Sequence, residues 1–113
     1  MKKLILILIL LGTAWANTPG KHSVSLTWTE TGCPTCTFNV YRGTATGVCL
    51  GTPTPYATGV TTTSYIDTAV TGGTTYFYAV SAVSGGESAC SSEAQAAVPS
   101  SPPSPTGLQG NAQ

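Results

Sequence analysis

Residues 74–83 read Thr74-Thr-Tyr-Phe-Tyr-Ala-Val-Ser-Ala-Val83. Tyr76, Tyr78, Val80 and Ala82 fall on one side of a two-residue period, with Phe77 on the other. That spacing fits a strand with one buried face and does not fit a helix. Gly72-Gly73 and Ser84-Gly85-Gly86 bracket the stretch as turns. The same period recurs outward from it. Val24, Leu26 and Trp28 alternate with Ser25, Thr27 and Thr29. Phe38 and Val40 share a face of the next strand, residues 38–42. Short strands follow at residues 64–68, around Tyr65, and at 91–98, with Ala94, Ala96 and Val98 inward before Pro99. Residues 43–63 are rich in Gly, Thr and Pro and hold at most one edge strand near Tyr56-Ala57, because Pro53 and Pro55 cannot donate to a central ladder. Six or seven short strands without a helical period predict an all-β sandwich of two antiparallel sheets.

The chain has 113 residues, enough for one domain. Lys2 and Lys3, the apolar run 4–11 and Ala14-Trp15-Ala16 have the grammar of a secretory leader, residues 1–16, cut before Asn17. The run is far shorter than the roughly 20 residues of a spanning helix. Residues 17–99 are then the domain and 100–113 a Pro/Ser/Gly-rich tail. Without the leader, Lys21 and Arg42 stand against Glu30, Asp67, Glu87 and Glu93. This leaves no basic patch for nucleic acid and no polybasic signal for a membrane surface. The four cysteines, Cys33, Cys36, Cys49 and Cys90, read as two disulfides of an exported chain, extracellular or periplasmic. Three pairings are open. Cys33 with Cys36 closes a local ring and leaves Cys49 with Cys90, which is the pairing expected. It requires the loop at 43–52 to fold back along the sheet, whereas Cys90 with Cys33 or Cys36 would strand Cys49. A zinc site lacks a second Cys-x-x-Cys and a placed histidine, and a thioredoxin-like role lacks a helix after Cys36.

The ordered segments His22-Ser-Val-Ser-Leu-Thr-Trp28, Phe38-Asn-Val-Tyr-Arg42, Thr63-Ser-Tyr-Ile-Asp67, Gly73-Thr-Thr-Tyr-Phe-Tyr-Ala-Val-Ser-Ala-Val83 and Gly86-Glu-Ser88 resemble strands B, C, E, F and G of bacterial fibronectin type III domains. The resemblance covers residues 21–99 and implies an immunoglobulin-like sandwich. It makes Trp28 the core tryptophan of strand B and Tyr76 the tyrosine-corner residue, packed on Val70. Two departures stand out. Too few residues lie between Asn17 and Lys21 for a full first strand. The tail, with Pro105 and Leu108, resembles that missing strand.

No catalytic constellation is present. His22 is alone, the four acids lie on separate loops and strand ends, Asp67 suits a turn cap, and no serine sits in a nucleophile elbow. No enzyme activity and no cofactor are expected. Tyr41 and Phe77, outward on neighbouring strands beside Asn39, are the candidate binding face. The expected function is a non-catalytic secreted interaction module for adhesion or surface-polymer binding, with an extracellular protein or polysaccharide as partner. The alternative is a structural subunit that self-associates head to tail by donating its C-terminal strand through Pro105 and Leu108.

Overall fold

The computed structural model describes residues 3–13, 22–100, 102 and 104–112. Its strands are β1 (Lys3–Thr13), β2 (His22–Thr31), β3 (Thr37–Gly43), β4 (Ala57–Val60), β5 (Ser64–Asp67), β6 (Thr75–Val83) and β7 (Ala94–Ala97). They form two antiparallel sheets, ordered β1-β2-β5 and β4-β3-β6-β7. The two-residue period decides which side chains enter the layer between them. Val24, Leu26 and Trp28 of β2 meet Phe38, Val40, Tyr76, Tyr78, Val80, Ala82, Ala96 and Val98 from the other sheet. The rings of Trp28 and Phe38 pack edge to face at 5.4 Å. Each large apolar side chain so buried contributes about 1.5–3 kcal/mol. At the corner between β5 and β6, the Thr71 amide donates to the Tyr76 hydroxyl at 2.9 Å, with Val70 buried alongside. The tyrosine corner therefore forms on the residues that the resemblance named.

The edge strand agrees with the sequence reading, and two other segments differ from it. The edge strand starts at Ala57, just after Pro53 and Pro55, and pairs with the Phe38–Val40 stretch of β3. The last strand begins at Ala94 rather than residue 91. Serine side chains are the reason. The amides of Val80 and Ala82 donate to the hydroxyls of Ser91 and Ser88, at 3.1 and 2.9 Å, in place of ladder carbonyls. Return bonds from the Ser88 and Ser91 amides keep the segment alongside β6 but irregular. Finally, the first-strand position is filled. The apolar run forms β1, which follows β2 from Lys3 opposite Thr31 to Thr13 opposite His22. The expected boundary at residues 16 and 17 lies outside the described residues. Among the described tail residues there is no strand, and Leu108 is 97% exposed.

Candidate binding cleft

The outer face of β3 carries Asn39 and Tyr41, opposite Ser81 and Ala79 of β6. After Val83 the chain turns at residues 84–86 and returns as a bridge at Glu87. This return places the Glu87 carboxylate over that face. Its Oε2 accepts from Asn39 Nδ2 at 3.1 Å and from the hydroxyls of Ser81 and Tyr41. Those three bonds hold the carboxyl below its usual range and outweigh its slight burial. Burial, then the bond to Glu87, pushes the Tyr41 hydroxyl up. Among the described residues no donor reaches Oε1 of Glu87.

The wall opposite Glu87 is the loop after β3. Successive amides of Gly47 and Val48 donate to Oε2 of Glu93 at 2.6 and 2.7 Å. Gly47 has φ +87, and a Cβ there would lie 2.8 Å from Leu50 Cδ1, so only glycine makes this turn without strain. Cys49 then joins Cys90, with Cα atoms 6.5 Å apart. The topological difficulty with this pairing is resolved locally. Cys90 precedes Ser91, whose amide bonds to Val80 midway along β6, so the loop folds back over only part of the sheet. Between loop and returning strand lies a cleft of about 530 Å³, lined by Tyr41, Thr52, Pro53, Glu87, Ser88 and the Cys49–Cys90 disulfide.

The other sequence-derived site residues separate. Asn39 and Tyr41 join the cleft system through Glu87, but Tyr41 is 5% exposed, so it is not half of an open aromatic platform. The covering segment at Glu87 is what closes it. Phe77 is half-buried opposite Gly43 and Gln95, and makes no ring contact with Tyr41 among the described residues. Cys33 and Cys36 pair in the turn between β2 and β3, with Cα atoms 5.5 Å apart, and both are buried in the core.

Asp67 caps its own turn, as expected, through the Ala69 amide at 3.0 Å, but it does more than that. It is 1% exposed and also accepts from Tyr56, Tyr78 and Arg42 at 3.0, 2.6 and 2.9 Å. The Arg42 guanidinium lies 3.9 Å from the Tyr56 ring centroid. Burial alone would raise the Asp67 carboxyl; the four donors outweigh it and hold the group below its usual range. The donors come from β3, β6, the segment before β4 and the turn after β5, and they converge on a β5 carboxylate, so this cluster pins the two sheets together. Its trace in the sequence is faint: the only arginine and two tyrosines, spread over residues 42–78.

The strand order and the corner define an immunoglobulin-like sandwich of the fibronectin type III kind. Among solved structures, an Fn3-like protein from Clostridium thermocellum is 36% identical, with 85% of this chain and 91% of that chain covered and a TM-score of 0.62. The chain belongs to this fibronectin type III-like family. A structure described as a myokine shares the fold at 15% identity, with 85% of this chain and 95% of that one covered and a TM-score of 0.59. No protein-family model matches the chain, and no curated protein is significantly similar to it.

Proposed function

We propose that the chain is a secreted, non-catalytic interaction module whose cleft binds the sugar units of a surface polysaccharide, so that the module adheres to that polymer. The observation that carries this reading is the arrangement of Glu87. One carboxylate oxygen is tied down by three protein donors, no donor among the described residues reaches the other, and Glu87 lines a cleft that also carries Ser88, Thr52 and Pro53. A fixed, ionised carboxylate accepts well from sugar hydroxyls, and such bonds are stronger than neutral ones. The cleft volume lies within the roughly 300–1,000 Å³ usual for ligand sites.

Glycosidic cleavage ordinarily uses two free carboxyl groups about 5–9.5 Å apart. Glu93, which holds the same loop, is committed to the amides of Gly47 and Val48, which favours binding without turnover. Two disulfides suit an oxidising, extracellular setting, and the leader grammar of residues 1–16 would deliver the chain there. The test is a glycan array backed by polysaccharide pull-down. Glu87→Gln keeps an acceptor for Tyr41 and Ser81 but removes the charge, and is expected to weaken retention about tenfold or more, the worth of a charge-assisted hydrogen bond. Equal retention of wild type and variant contradicts the reading.

A further inference from the structure

We propose that cleavage of residues 1–16 opens the β1 side of β2 and that residues 104–112 of a second copy take that place, joining molecules head to tail. The first observation is what β1 does in the uncleaved chain. It accompanies β2 from His22 to Thr31, whereas β5 covers the other flank only from Val24 to Thr27. Without β1, a strand that supplies Val24, Leu26 and Trp28 to the core has a bare edge, and bare edges recruit strands.

The second observation is that β1 fits its place poorly. An edge strand on a water-facing sheet alternates apolar and polar residues. Residues 4–11 are apolar throughout, without alternation, and the register pairs Leu8 with Thr27 and Leu10 with Ser25. Among the described residues, Glu30, opposite Leu4, has both carboxylate oxygens buried without a partner, and the Trp28 indole nitrogen has none either. Buried polar groups left unpaired cost free energy. These features suit a leader that sits on β2 until it is cut.

The third observation is the tail. Leu108 is 97% exposed among small and polar neighbours, and residues 104–112 pair with neither sheet of their own chain. Proline is tolerated at the start of an edge strand, where Pro105 would stand.

Geometry then selects a second copy over the chain's own edge. The tail leaves at the His22 end of the sandwich. Gly72 is wedged there, and a Cβ on it would lie 2.9 Å from the Pro99 carbonyl and 3.0 Å from His22 Nε2. A strand running in the direction of β1 enters at the other end, opposite Thr31. A strand the length of β2 spans about 33 Å. Residues 100–103 reach at most about 14 Å. The tail cannot start at the Thr31 end of its own β2, but it can start at that end of a molecule stacked beyond its own His22 end. Such a join does not close on itself and propagates as a filament.

The experiment secretes the full chain from a bacterium with its own leader. The purified protein is examined by intact mass, by light scattering over a concentration series and by amide exchange, beside Leu108→Asp. Expected are loss of residues 1–16, wild-type mass that grows with concentration, and protected amides at residues 23–31. In Leu108→Asp, a monomer with those amides exchanging at least tenfold faster is expected, and a synthetic peptide of residues 102–113 restores their protection. A retained leader, a wild type that stays monomeric (with or without protected β2 amides), or a Leu108→Asp protein that assembles equally well overturns the proposal.

Discussion

Asp67 accepts four hydrogen bonds, more than Glu87 or Glu93. Removing it leaves the Arg42 guanidinium and the hydroxyls of Tyr56 and Tyr78 without their shared acceptor, and Tyr78 is fully buried. Breaking a buried ion pair from one side typically costs about 3–5 kcal/mol, and Asp67→Ala is expected to lose that much in urea unfolding. The pH dependence follows from the same contacts. The folded pKa values of Asp67 and Glu87 lie below their unfolded values, so folding releases protons from both carboxyls. Their stabilisation is complete above the unfolded carboxylate range and is lost as pH falls through the folded values. Urea midpoints should hold from neutral pH to the ordinary carboxylate range and drop below it, with a shallower drop in Asp67→Asn. An acid-independent midpoint would contradict this. Little of this cluster was legible in the sequence. Asp67 could be read as a turn cap, because that bond spans two residues, but its bonds to Tyr78 and Arg42 span 11 and 25. Only the packing of two sheets brings those groups together.

At the level of elements, the strands were legible because burial on one face imprints a two-residue period. The departures arise where side chains replace backbone. Serine hydroxyls interrupt the ladder before β7, and carboxylates of Glu87 and Glu93 organise segments that have no period at all. Asn39 and Tyr41 lie on the outer face of β3, but the segment that covers Tyr41 could not be anticipated from alternation in β3. The two disulfides differ in consequence. Loop-closure entropy assigns about 4 kcal/mol to a bond that closes some forty residues and about 2 kcal/mol to one that closes about four. Replacing Cys49 and Cys90 by serine should therefore lower stability more than replacing Cys33 and Cys36, and should also abolish retention on polysaccharide, because the cleft loses a wall. Differential scanning calorimetry of the two double variants, with pull-down of each, checks both parts; loss of binding from the Cys33 and Cys36 pair alone would contradict them.

The whole molecule is a fibronectin type III-like sandwich, with its core between the two sheets and the cleft at its margin. Core and corner residues, Trp28, Val70 and Tyr76, stand where the resemblance put them, since they answer to packing common to the fold. The cleft lies at that margin, between the loop after β3 and the return at Glu87, where the sequence has no two-residue period. Retention on polysaccharide would then be a property of that margin and not of the sandwich as such. The most direct measurement is a two-dimensional amide NMR titration of the purified protein with the polysaccharide scoring highest in the pull-down. Shifts concentrated at residues 49–53 and 87–90, and absent from the same titration of Glu87→Gln, are the predicted result. Shifts that centre on another face, or that persist unchanged in Glu87→Gln, would contradict it.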